Sequence, residues 1–161
     1  MKKIATMILV FMMFCTTAYS SGRYEKETIK AQALVYSALD YYYTHGKAAM
    51  LKEVQKKNGR FVDGSAYVFV MTAKKGTMAM LAHPMSPKLV GKNLWRLKDT
   101  NKKSFIQEYY KVVTTKGRKG WVNYYWKHPI SNKIEPKNTF CVSDKDKKLS
   151  FYSGFYMLSG K

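Results

Sequence analysis

Few residues in this 161-residue chain have the type and spacing that covalent or metal chemistry needs. His45, His83, His128 and Cys141 show no metal-ligand spacing. Cys141 lies between Phe140 and Val142 in a strand-like run, which reads as a buried, inert thiol rather than a nucleophile. There is no Gly-x-Ser-x-Gly, phosphate loop or dinucleotide fingerprint. The 10 acidic residues are spread along the chain without a paired-carboxylate signature. No catalytic residue, metal or cofactor is expected.

Binding chemistry is better represented. Lys137 follows Pro136 where a strand is expected to begin. It reads either as a cation that holds a ligand carboxylate through a charge-assisted contact or as one more solvated lysine. In the run 121–126, Val122, Tyr124 and Trp126 share one face and Trp121, Asn123 and Tyr125 the other. One face should meet the helices and the other a pocket. A tyrosine hydroxyl and a tryptophan N–H can each donate to a carboxylate while their rings form an apolar wall; as core aromatics they would serve packing alone. Tyr67 and Phe69 point to one side of their strand, and Met78 and Met80 to one side of the next. His83, before Pro84 at the end of that hairpin, is placed to close a pocket mouth or to serve as a structural hydrogen-bonder.

The elements that must position these residues follow from periodicity. Residues 24–45 predict a helix, with Ala31, Leu34, Val35, Ala38, Tyr41 and Tyr42 in one stripe. Gly46 predicts its stop, and a short second helix is expected over about 47–57. The run 66–82 predicts a hairpin about Lys74-Lys75-Gly76, and 84–103 a loop. Ser104 is expected to cap a third helix, about 105–116. Strands follow at 121–126, 138–143 and 149–157, the last two joined by the charged turn 144–148. The order predicts an α+β domain with helices on one antiparallel sheet of about five strands.

Residues 1–20 stand apart. Lys2 and Lys3 precede the uncharged apolar run Ile4 to Cys15, and Ala18-Tyr19-Ser20 presents small residues at the two positions a signal peptidase reads. A secretory signal is expected, cut after Ser20, with an uncleaved anchor as the other reading. The single binding domain would then be 21–161, located most simply in the periplasm. Cleavage removes Lys2 and Lys3 and no acid, lowering the net charge from +19 to +17. It also removes Cys15, leaving Cys141 without a disulfide partner. No apolar run after residue 20 is long enough to span a membrane. The scattered positive charge suits anionic solutes or an anionic membrane surface or polymer; nucleic acid is not expected at that destination.

Several short segments together resemble the single Cache domain family. They are Tyr67 to Val70, Gly76-Thr77, Ala82-His83-Pro84, Leu89 to Leu94, Gly120 to Trp126, Ile134 to Lys137 and Ser153 to Tyr156. The resemblance spans about 24–157 and implies an extracytoplasmic, PAS-like sensor fold. In that fold a long N-terminal helix lies against one sheet face and a pocket on the other. It further implies a small carboxylate ligand such as acetate, propionate or pyruvate. Lys137 would be its cation, Tyr124 and Trp126 would share the pocket, and Tyr67, Phe69, Met80 and His83 would complete it. Lys74-Lys75 stands where the family usually carries an aspartate. Members usually precede a second membrane helix and a signalling module; ending at Lys161, this chain reads as a stand-alone binding protein serving a membrane sensor or transporter. The competing expectations are an enzyme or redox accessory using Cys141 or His83, and a cationic protein for membrane or anionic polymer.

Overall fold

A computed structural model describes residues 22, 24–115 and 117–157 of the chain. The first twenty residues, and with them the expected signal, lie outside the described residues.

Helix α1 runs Glu25–Val54. Ala31, Val35 and Ala38, then Met50 and Val54, recur at helical spacing and are fully buried. Gly46 interrupts the helix as expected: at φ 80° and ψ 170° it leaves helical geometry for a backbone that costs glycine little and other residues much, and two helical limbs meet there at a kink. The expected second helix is therefore the far limb of α1, and it ends at Val54 rather than near residue 57.

The predicted strand at Tyr67 is divided. Strands β1 (Val62–Asp63) and β2 (Ala66–Tyr67) pair as a small separate ribbon, and β3 (Phe69–Thr72) starts the main sheet. β3 pairs with β4 (Met80–Ala82) across the Lys74-Lys75-Gly76 turn, with a register shift between Val70 and Met71. The loop 84–103 holds one 3₁₀ turn, Pro87–Leu89. It leads to α2 (Phe105–Thr114), whose Ser104 makes no side-chain cap; its carbonyl instead accepts the N–H groups of Gln107 and Glu108.

Strands β5 (Lys119–Lys127), β6 (Ile134–Ser143) and β7 (Leu149–Tyr156) form a meander. The turn 144–148 is closed by the Asp144 carboxylate, which accepts the N–H groups of Lys148 and Leu149 at 2.8 and 3.0 Å. β7 also pairs with β3, giving the antiparallel order β4-β3-β7-β6-β5. Gly154 fits a close crossing: a Cβ there would stand 2.6 Å from Thr139 Oγ1, so β7 can press on β6 only without a side chain.

Side-chain alternation divides the core between the two faces of this sheet. Val68, Val70, Phe140, Val142, Leu149 and Phe151 pack with α1. Phe69, Met71, Met80, Val122, Tyr124, Cys141 and Tyr152 pack on the other face. There α2 supplies Phe105, Ile106, Tyr109 and Val113. This corrects the expectation that every helix shares one face: α2 roofs the pocket side, since its buried stripe is complementary to that face's aromatics. Among the described residues no helix is long and apolar enough to cross a membrane.

Candidate functional site

The expected face assignments hold. Tyr67 and Phe69 lie with Met80, Tyr124 and Trp126 on the face opposite α1. Tyr125, one residue out of phase, is 39% exposed. Phe69, Met80, His83, Tyr124 and Trp126 line one internal cavity, closed over by Leu89, Leu94 and Leu97 of the loop and by Phe105, Ile106 and Tyr109 of α2. The cavity measures about 10 Å³. That is room for about one water. A solute of several heavy atoms enters only if the leucines or α2 shift outward.

Lys137 and Tyr67 adjoin this cavity rather than line it. β6 begins at Ile134, not at 138, so Lys137 is an interior residue paired with Tyr124 on one side and Tyr156 on the other. Lys137 is 0% exposed. Its Nζ lies 3.9 Å from the centre of the Tyr67 ring, 4.9 Å from that of Tyr156 and 5.6 Å from that of Phe69. Three ring faces satisfy an ammonium in part. Yet among the described residues Nζ makes no hydrogen bond and no salt bridge. Burial lowers the lysine's pKa from its ordinary value, opposed by Tyr67.

His83 is 2% exposed, and so stands in the interior rather than at a mouth. Its ring stacks on Phe69 at 5.3 Å and tilts against Tyr67 at 5.1 Å. Nδ1 accepts the Ser86 N–H at 2.9 Å, which assigns the ring proton to Nε2. Burial, and then the charge of Lys137, push its pKa down to about 3. His83 is thus a neutral N–H donor at ordinary pH.

Tyr124 Oη accepts the Thr139 hydroxyl at 3.2 Å, and its ring stacks on Phe105 at 4.2 Å. Trp126 is half-buried against both. Burial drives the hydroxyls of Tyr109, Tyr124 and Tyr152 upward in pKa, so they remain protonated donors. The Tyr109 hydroxyl, like Lys137 Nζ, is buried and makes no well-formed hydrogen bond among the described residues, although Tyr124 and Thr139 lie beside it. Tyr109 belongs to the site but was not expected there. Its signal was the α2 stripe, which does not say which surface it covers. Thr139 and Tyr156 were likewise unexpected; stepping by two from Lys137 reaches the first, and β-pairing reaches the second.

Chemically the site offers an anion one lysine, Lys137, and several neutral donors. Cys141 is a fully buried thiol whose pKa burial raises well above its usual value. The described residues contain no group of three or more histidines, cysteines or acids that could hold a metal ion.

No curated protein sequence matches this chain. Solved structures do. A methyl-accepting chemotaxis protein from Vibrio parahaemolyticus superposes with a TM-score of 0.71 at 19% identity, covering 87% of this chain and 95% of its own. A periplasmic sensor domain of a chemotaxis protein gives 0.63 at 26% identity, with 88% and 97% covered. A Cache chemosensory domain solved for the structural basis of carboxylic acid recognition gives 0.65 at 21%, again with 88% and 97% covered. The α+β architecture is therefore the PAS-like Cache fold. The family described as Single Cache domain 2 matches residues 1–157, so the chain belongs to that family of small-ligand sensor domains.

Proposed function

We propose that this domain is a non-catalytic periplasmic module that binds a small carboxylate, such as acetate, propionate or pyruvate, through the Lys137 ammonium. One observation carries the reading. Lys137 is a fully buried lysine whose Nζ, among the described residues, is paired with no carboxylate and makes no hydrogen bond, with only the Tyr67 side chain beside it to favour its charged form. Buried charges are otherwise paired, because desolvation is costly. A carboxylate from solution supplies the missing charge, with the Nε2–H of His83 and the hydroxyl of Tyr109 as neutral donors nearby. The Cache domain of carboxylic acid recognition supports the same class of ligand. The apolar wall of Phe69, Met80 and Trp126 suits the short chain of a monocarboxylate, which this reading admits once the leucines or α2 have shifted outward to enlarge the closed cavity.

Heat-denaturation shifts against a panel of small acids find the best ligand, since a solute that binds only the native state raises its stability. In calorimetric titration, Lys137→Ala should then lose at least tenfold in affinity, from about 2–5 kcal/mol for a charge-assisted contact. Circular dichroism should show the fold intact. Tyr124→Phe should weaken binding, and Tyr125→Phe, on the exposed face, should leave it unchanged. Burial favours the neutral amine and a bound carboxylate favours the ammonium, so affinity should rise as pH falls, until the acid itself protonates, which comes at about pH 4–5 for acetate or propionate and lower for pyruvate. Equal affinity in wild type and Lys137→Ala would refute the assignment.

A further inference from the structure

Next to this chamber lies a second, open concavity of about 380 Å³. Its lining includes Lys57, Ser86, Lys127, His128, Asn132 and, as the wall shared with Lys137, Tyr67. The volume is in the range of small-molecule sites. The lining contains no acid, and neither Lys57 nor Lys127 has an ion pair among the described residues. Glu135 lies outside the lining, and its carboxylate is engaged by the Ser131 hydroxyl at 2.7 Å.

The histidine is held by the turn between β5 and β6. His128 Nδ1 accepts the N–H groups of Ile130 and Ser131 at 3.2 and 3.1 Å, so in the neutral ring the proton is on Nε2. Its ring rests 4.4 Å from that of Tyr156, whose hydroxyl donates to the Lys127 carbonyl at 2.8 Å. Two lysines, a positioned imidazole N–H and the hydroxyl and amide of Ser86 and Asn132 thus surround one cleft.

We propose that this cleft is a second anion site, for a compact dianion such as inorganic phosphate or a short dicarboxylate. It is distinct from the apolar cavity beside Lys137, which with that single basic group is proposed above for a monoanion. Two cations in an open, polar setting favour a doubly charged solute, whose hydration is only partly lost there.

The test uses the mature protein at pH 7 and constant ionic strength, with phosphate, succinate and acetate titrated separately. The readout is the ring resonances of His128 by NMR. Phosphate, succinate or both should shift them saturably in the millimolar range or below. The shift should persist in Lys137→Ala and weaken at least fivefold in Lys57→Glu, a change at an exposed residue. The proposal is overturned if chloride at matched ionic strength gives the same shift, if neither dianion saturates, if Lys57→Glu has no effect, or if Lys137→Ala abolishes the response. Loss of acetate binding alone bears on the Lys137 reading and leaves this site standing.

Discussion

His83 shows how burial turns a titratable residue into a fixed donor. Its folded pKa of about 3 lies below the 6.5 of an exposed histidine. Between those values the unfolded chain takes up a proton that the folded chain refuses, so stability falls as pH falls through this window. The effect is absent above pH 6.5 and complete below about pH 3. The slope from this one group should be about 1.4 kcal/mol for each pH unit inside the window. Urea unfolding at pH 4, 5 and 7 should therefore show a shallower dependence for His83→Gln than for wild type; parallel slopes would mean that the ring is charged in the fold. At this scale the sequence was informative about faces and poor about depth. Alternation alone grouped Tyr67 with Phe69 and Tyr124 with Trp126. It could not separate Lys137 from the other 28 basic residues, because burial of a lysine depends on rings that arrive from β2 and β7.

The roof is joined to the sheet by polar side chains. Asp99 Oδ1 accepts the N–H groups of Asn101 and Lys103, each at 2.9 Å, and its other oxygen accepts the Tyr125 N–H at 3.0 Å. Burial would raise its pKa, but these three N–H donors outweigh it and hold the carboxyl below its usual range. Lys103 Nζ reaches the Asn123 carbonyl at 2.6 Å and Glu108 at 3.1 Å. The loop that closes the cavity is thereby tied to β5, an edge strand. Asp99→Ala should free it, at a cost of about 1 kcal/mol. Amide exchange at Tyr125 should accelerate, and acid binding should become faster in both directions. Unchanged exchange would show that the loop is held by its leucines instead. This joint was not legible beforehand: Asp99-Thr100-Asn101 reads as a turn, and nothing local says that its carboxylate also reaches a strand 26 residues on. Gly46 was read correctly as an interruption, but a break and a bend differ only in what packs beyond them.

For the whole molecule, the turns carried most of the information. Lys74 to Gly76 and Asp144 to Lys148 marked β3–β4 and β6–β7 as hairpin neighbours, whereas the central pairing of β3 with β7, and with it the strand order, was not legible. The long crossing from β4 to β5 carries α2, whose amphipathic stripe gave its existence but not its side. The N-terminal reading has its own test. Sequencing of the protein from a periplasmic fraction should begin near Ser21, as the small residues at 18 and 20 require. A full-length chain retained in the membrane fraction would replace cleavage with anchoring.

An apolar side chain of lysine's volume would close the wall between Tyr67 and Tyr156 without any desolvation cost, and such replacements often stabilise proteins. By keeping a lysine among those rings, the chain buries a polar group that an apolar side chain would spare it, and burial presses that group toward its neutral form. On the proposed reading, a solute of the right charge would relieve that cost, and ligand recognition and fold stability would rest on the same atom. Improving one by mutation at this position should blunt the other. Responsiveness, on that reading, would be a stability defect held in reserve.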